Sequence, residues 1–205
     1  MHSAPRWTAT RQRLYDAAAA LISERGFSAT TVDEIAERAG VAKGTVYYNF
    51  ASKDGLLEAL MLHGAEELAA SLRQAAQGAV RHGGGPGGAL DAMVRAGLAF
   101  IDRRPAFAKL YVAELWRCDR PWQETLAAVR GRVVAAVEEE LRAGAGPGGP
   151  EGRPDVSLTA SALVGTVLVA ALDWKVFQPE RPLEEVHRAL AALLEGRVAG
   201  AGGPT

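Results

Sequence analysis

The chain has 205 residues, 48% of them apolar and 23% charged, and its 23 Lys and Arg nearly balance its 24 Asp and Glu. This composition is typical of a globular protein with a sizeable core, and it excludes strong binding to nucleic acid through bulk positive charge. Cys118 is the single cysteine, so the chain cannot form an intramolecular disulfide, which favours a reducing compartment.

The first predicted helix covers residues 9–25, and Gly26 can end it in the left-handed conformation. The second helix starts after Thr31, which forms a capping-box pattern with Glu34, and Gly40 ends it as Gly26 ends the first. Its inward face comprises Val32, Ile35, Ala36 and Ala39.

A third helix is predicted at about residues 42–50, one tight turn after the second. If Val46 faces inward, a rotation of ~100° per residue places Ala42 and Phe50 on the same side. The opposite face carries hydrogen-bond donors for phosphates and base edges, and a glycine there allows close approach of a phosphate. We therefore predict that this face contacts DNA. Its members are Lys43, Gly44, Thr45, Tyr47 and Tyr48.

The stretch from Thr31 to Phe50 resembles the helix-turn-helix of the TetR family of bacterial transcription regulators. The resemblance covers roughly the first third of the chain and implies a homodimer on a palindromic double-stranded DNA operator, a small-molecule effector that releases it, and repression. It also implies a cytoplasmic protein, and no cofactor is predicted. The matching residues are Gly26-Phe27, Thr30-Thr31, Ile35-Ala36, Ala39-Gly40-Val41, Lys43-Gly44-Thr45-Val46-Tyr47, Phe50 and Ser52-Lys53-Asp54.

Further DNA contacts follow from the resemblance. Thr30 and Thr31 begin the second helix, where they either only cap it or also touch the DNA backbone. Lys53 lies in the first turn of the fourth helix, near the positive end of the helix dipole. It either binds a phosphate or is a solvated side chain balanced by Asp54.

Two positions depart from the family pattern. Ala42 stands where many relatives have a serine that caps the helix and bonds a phosphate, so that contact is absent here. Gly55 replaces a helix former, and we expect a more mobile start of the fourth helix.

The remaining chain shows no strand-like alternation, so an all-α protein is predicted. Residues 9–55 are predicted to form the DNA-binding domain, with the fourth helix continuing to about residue 80, and residues 56–197 a ligand-binding and dimerisation domain. Residues 83–88 and 144–154 are predicted loops, residues 1–8 are predicted to be loose, and residues 197–205 form a Gly/Ala tail. The helices after residue 50 are predicted at 52–80, 89–103, 105–118, 121–143, 156–177 and 183–196.

The last two helices have the character of a dimer interface. The helix at 156–177 is apolar almost all round, so it must be buried against more than one neighbour. Its apolar run from Ala160 to Leu172 is shorter than a membrane span. We expect this helix and the one at 183–196 to form a four-helix bundle with a second subunit. The alternative is that both belong to one monomeric core.

An aromatic-rich middle region either lines the small-molecule cavity that the resemblance implies or forms ordinary core. A cationic or polar ligand would suit Glu114, whereas an acyl or terpenoid ligand would not need it. The candidates are Met93, Phe100, Phe107, Tyr111, Glu114, Trp116, Trp122 and Trp174.

Two other functions are alternatives to a transcription regulator. The first, an enzyme, lacks support because the four histidines are scattered, none has a partner at metal-ligand spacing, and no Gly-x-Ser-x-Gly or CxxC motif occurs. No metal site and no enzymatic activity are therefore predicted. The second is a helical small-molecule-binding protein without a regulatory role.

Overall fold

The computed structural model describes residues 9–115, 120–144 and 155–194. Every regular element in these ranges is a helix, which confirms the all-α prediction. The helices are α1 Ala9–Arg25, α2 Val32–Ala39, α3 Lys43–Phe50, α4 Lys53–Arg81, α5 Pro86–Arg103, α6 Pro105–Leu115, α7 Arg120–Gly144, α8 Val156–Phe177 and α9 Leu183–Leu194.

One predicted boundary is wrong by a full helical turn. Helix α5 begins at Pro86, so Gly87 and Gly88 lie in its first turn and not in the predicted loop. The fixed φ of proline suits the first helical position, and its missing N–H costs nothing there. The predicted helix ends at residues 118 and 196 and the loop at 145–154 lie outside the described residues.

The chain divides into two compact units, residues 1–64 with 104–129 and residues 65–103 with 130–205. Helices α4 and α7 contribute residues to both units. The predicted domain border after residue 55 lies near the start of α4.

In the first unit, α1 packs against α2 and α6, and α2 packs against α3. The Arg104 guanidinium lies 4.9 Å from the centre of the Tyr15 ring and 3.8 Å from the Asp16 carboxylate, which ties the start of α6 to α1. Helices α4 and α6 approach closely at Gly64, where a Cβ atom would lie 2.4 Å from the Phe107 ring. These contacts give the three N-terminal helices a rigid support. The fully buried side chains of the first unit include Leu14, Leu21, Ile35, Val46, Leu56, Leu57 and Met61.

In the second unit, α5 packs against α8 and α9. Gly97 of α5 allows close contact, because a Cβ atom there would lie 3.4 Å from a methyl carbon of Val167. Two ion pairs join α5 to these helices, Arg95 with Glu184 at 2.5 Å and Asp102 with Lys175 at 2.7 Å. The Nε2 atom of His187 also lies 2.9 Å from the Asp91 carboxylate.

Helix α8 is buried on one face only within a single chain. Its buried residues, Ala160, Val167, Ala171 and Trp174, recur at the spacing of one helical face. The opposite face exposes aliphatic side chains, with Leu158 at 70% and Val169 at 66%. The expectation of burial against several neighbours is therefore not met by this chain alone. By length and composition the helix is also apolar enough to cross a membrane.

Candidate DNA-binding interface

Helix α2 is capped at both ends by its own sequence. The Thr31 hydroxyl accepts a hydrogen bond from the Glu34 N–H at 3.2 Å, and the Thr31 N–H donates to the Glu34 carboxylate at 2.8 Å. Gly40 ends the helix with φ 64° and ψ 41°, and its N–H donates to the Glu37 carbonyl. The predicted capping box and left-handed glycine are confirmed.

The capping box also changes the Glu34 carboxyl. Hydrogen bonds from the Thr31 backbone and side chain, and then from Arg25, lower its pKa below the usual glutamate value. The charged form is therefore favoured at the positive end of the α2 dipole, where an anion is stabilising.

Helix α3 has no side-chain cap. Ala42 is its N-cap residue, with φ −68° and ψ 146°, and makes no capping hydrogen bond. Val46 and Phe50 are buried as predicted, but Ala42 is exposed. The inward placement of Ala42 was wrong because the helix starts at Lys43, so helical rotation does not apply to the preceding residue.

The predicted outer face of α3 carries the most exposed aromatic residue of the described chain. Tyr48 is 91% exposed and Tyr47 44% exposed, whereas Thr45 is half-buried. Gly44 is exposed, and no atom lies within 4 Å of the position that a Cβ would take. The packing of the chain itself therefore gives no reason for a glycine at this position. The ammonium of Lys43, the fifth predicted residue, lies 2.7 Å from the Asp33 carboxylate.

The two threonines differ in position. Thr30 is 1% exposed, and its hydroxyl donates to the Gly26 carbonyl at 2.9 Å, so it does not lie on the surface with the other candidates. Thr31 is exposed, and its hydroxyl also donates to the Glu34 carboxylate at 2.9 Å. The local sequence does not reveal which of these two adjacent hydroxyls is buried.

Lys53 lies at the start of α4 with its Nζ atom 4.3 Å from the centre of the Phe27 ring. A cation at this distance over an aromatic face is attracted to it, so Phe27 positions the ammonium. The sequence pointed to Phe27 as part of the family match, but it did not predict its contact with Lys53.

A strained turn joins α3 to α4. The Ser52 N–H donates to the Phe50 carbonyl at 2.6 Å across Ala51, which has φ 58°. Gly55 lies against the same carbonyl, because a Cβ atom there would be 2.3 Å from the Phe50 oxygen. Steric fit at this carbonyl explains the glycine, and a more mobile start of α4 stays a prediction.

The predicted ligand residues divide between the two units. Phe107, Tyr111 and Glu114 lie on α6 in the first unit, where Glu114 is 3% exposed. Met93, Phe100 and Trp174 are buried in the second unit. Trp116 and the side chain of Trp122 lie outside the described residues.

The structure explains Trp174 without a ligand. Its indole N–H donates to the Arg181 carbonyl at 2.9 Å, and the Lys175 ammonium lies 4.7 Å from the ring centre. The ordinary core interpretation therefore suffices for this residue.

A surface cleft of about 330 Å³ lies in the first unit, between α1 and α2. It is open to solvent and contains none of the predicted ligand residues among its lining, which is Arg13, Asp16, Ala17, Arg38 and Ala39. In the ranges that the structure describes, no group of three or more His, Cys, Asp or Glu side chains is arranged to hold a metal ion.

Sequence similarity to known proteins is found in this N-terminal region. Residues 14–60 match a family model described as bacterial regulatory proteins, tetR family. The chain is 48% identical over 52 residues to an uncharacterized HTH-type transcriptional regulator, YvkB, of Bacillus subtilis, covering 25% of this chain and 28% of that protein. It is 31% identical over 105 residues to the HTH-type transcriptional repressor KstR2 of Rhodococcus jostii, covering 51% and 50%. The chain thus spans between about a quarter and a half of these curated relatives.

Similarity to solved structures extends over nearly the whole chain. The transcriptional regulator FadR from Bacillus subtilis, solved in complex with stearoyl-CoA, superposes with a TM-score of 0.77 at 19% identity, covering 92% of this chain and 99% of that one. At this identity the superposition shows a shared fold.

Proposed function

This chain belongs to the TetR family of bacterial transcriptional regulators, and from that premise we propose that it is a cytoplasmic repressor that binds a palindromic operator as a homodimer and is released by a small molecule. Helix α3 enters the major groove, and two copies of it reach successive grooves on one side of the DNA. The KstR2 relative is itself named a transcriptional repressor.

The observation that carries the proposal is the outer face of α3. Tyr48 is 91% exposed in the middle of a helix whose other face is buried in the first unit, and Gly44 beside it is open to solvent. The glycine costs about 1 kcal/mol relative to alanine inside a helix. An exposed phenol, which can donate a hydrogen bond, and an exposed backbone that a phosphate can approach closely both suit a DNA groove. Lys53, positioned over Phe27, supplies a cation for a flanking phosphate.

The proposal is tested by selecting DNA from a random pool with the purified full-length chain. A regulator of this kind enriches one sequence with two inverted half-sites about one helical turn apart. Recovery of no sequence above background would contradict the proposal and would favour a helical binding protein without a regulatory role.

The dimer is proposed to form through the exposed faces of α8 and α9. Leu158, Ala162, Val169 and Val176 share the face of α8 opposite its buried stripe. A contiguous aliphatic face is costly in water, and a second copy of the same helix pair covers it with apolar surface by twofold symmetry. Phe177 and α9 residues Leu193 and Leu194 extend this exposed apolar surface.

The dimer is tested with Val169→Glu, which places a charge in the centre of the face without altering the buried stripe. We expect the parent to sediment as a dimer and the variant as a monomer, with operator binding lost together with the dimer. Lys109→Glu on the exposed side of α6 is the matched control and should remain dimeric. A monomeric parent that floats with lipid vesicles would instead assign the apolar face to a membrane.

The effector is proposed to be a small molecule that binds within residues 56–197, the predicted ligand-binding and dimerisation domain. Because the FadR structure of the same fold was solved with stearoyl-CoA, long-chain acyl-CoA is the first class of compound to test. Release of the selected operator at micromolar acyl-CoA, but not with free CoA, would support an acyl effector. Absence of release would direct the search to cationic or polar compounds.

A further inference from the structure

Lys43 is the one cation in the sequence of α3, and in the free chain its ammonium is held by Asp33 of α2. Its Nζ atom lies 2.7 Å from one carboxylate oxygen of Asp33 and 2.9 Å from the other. Hydrogen bonding and charge attraction by this carboxylate raise the pKa of Lys43. The two side chains are 56% and 64% exposed, so the pair lies on the surface of the chain.

The other acidic groups of α2 are engaged differently. Glu34 closes the capping box and lies 2.6 Å from Arg25 of α1. The exposed side chain of Glu37 makes neither an ion pair nor a hydrogen bond with the described residues. In this part of the chain, Asp33 is thus the acidic residue that links α2 to α3.

We propose that Asp33 is an internal counterion that restrains the DNA contact of Lys43 and so limits the affinity of the helix-turn-helix for DNA of any sequence. The inference rests on the proposed DNA-binding function and identifies a residue that sets the strength of binding. A phosphate that approaches Lys43 competes with Asp33 for one ammonium, and the carboxylate repels that phosphate.

The pairing of Lys43 with Asp33 should also change how DNA binding depends on the salt concentration. A free lysine that neutralises a phosphate makes the slope of log affinity against log salt more negative by about 0.9, because it releases a condensed counterion. A lysine that must first leave a carboxylate contributes less to this slope. The chain carries nearly equal numbers of basic and acidic residues, so DNA binding does not rest on a large excess of positive charge. Releasing one cation on α3 from its carboxylate should therefore change the affinity measurably.

The test is Asp33→Asn in the full-length chain, which removes the charge and keeps the shape. Binding is measured by fluorescence anisotropy at several salt concentrations, on a random-sequence duplex and on the operator selected from the random pool. We expect about two- to fivefold tighter binding to both duplexes at low salt. We also expect a salt slope that is steeper by up to about 0.9.

The matched control is Glu37→Gln, which removes the same charge from the same helix at a side chain without a partner in the described part of the chain. Its effect should be less than half that of Asp33→Asn. In a Lys43→Ala background, the effect of Asp33→Asn should fall to that of the control, which isolates the pair from the net charge. Asp33→Glu keeps the charge and should retain most of the restraint.

Equal effects of Asp33→Asn and Glu37→Gln, or an undiminished effect in the Lys43→Ala background, would overturn the role of Asp33. Thermal melting verifies folding, and Asp33→Ser replaces the asparagine variant if that one melts below the assay temperature. A parent chain that selects no operator contradicts the proposed function itself. A parent that binds its operator while Asp33→Asn changes nothing contradicts only this inference.

Discussion

Helices α2 and α3 have the same length, eight residues, and are stabilised in opposite ways. The first has a capping box, a left-handed glycine cap and four buried residues. The second has the uncapped Ala42 at its start, Ala51 at positive φ at its end and two buried residues. Helices this short are marginal alone, so α3 depends on its neighbours. Of these two helices, the one expected to contact DNA therefore has the fewer sequence features that stabilise a helix.

The support of α3 by its neighbours can be broken at Gly55. In Gly55→Ala the new methyl group meets the Phe50 carbonyl at the end of α3. We expect a loss of about 2 kcal/mol in the free energy of unfolding, measured by urea denaturation. Gly78→Ala in the same helix is the control, since it faces open space and should stabilise by up to about 1 kcal/mol. Equal effects of the two variants would show that α3 does not depend on this close approach.

The local support of α2 can be removed at Thr31. Thr31→Ala deletes the capping hydroxyl and should lower the free energy of unfolding by about 1 kcal/mol, whereas Thr31→Ser should retain most of it. An unchanged denaturation midpoint for Thr31→Ala would mean that α2 also relies on packing alone, and the contrast between the helices would disappear.

Ala42→Ser tests the contrast in the opposite direction. A serine at this N-cap can accept the hydrogen bond that Ala42 cannot, so we expect a gain of about 0.5 kcal/mol in unfolding free energy. Ala70→Ser, an exposed mid-helix substitution in α4, should instead lower the free energy of unfolding by roughly 0.5 kcal/mol. If both serines destabilise equally, the start of α3 lacks the geometry of a cap.

The smallest effect is a pH dependence of the α2 cap. The pKa of Glu34 is lowered in the folded chain, so its contribution is present above the pKa of an unfolded glutamate and disappears as the pH falls through the lowered value. The stability difference between the parent and Glu34→Gln should therefore be largest near neutral pH and vanish in acid. Glu37→Gln, in the same helix but outside the capping box, is the control, and the same curve for both variants would exclude a role of the capping box.

Local signals in the sequence predicted much of this region. Thr31 with Glu34 and the glycine at position 40 act within one or two turns, so their structural consequences follow from the sequence alone. The exposure of Tyr48 followed from helical periodicity once Val46 was placed inward.

Features that depend on distant contacts could not be predicted in this way. Thr30 is buried although Thr31 beside it is exposed, and Gly55 is required because α4 starts against the Phe50 carbonyl. The apolar sequence of α8 did not reveal which face the same chain covers, since every face looked suitable for burial. The contacts of Phe27 with Lys53 and of Asp33 with Lys43 were not predicted, because each joins two residues that lie in different elements of the fold.

The central claim, that the outer face of α3 contacts DNA, is tested most directly by the affinity of Tyr48→Ala for the selected operator. We expect binding at least about tenfold weaker with an unchanged melting temperature, because the exposed phenol supports nothing in the fold. Lys53→Ala should weaken binding to all sequences, and Arg81→Ala, which removes a cation at the far end of α4, should bind like the parent. If Tyr48→Ala and Lys53→Ala both bind the operator as tightly as the parent does, this surface is not the DNA-binding surface.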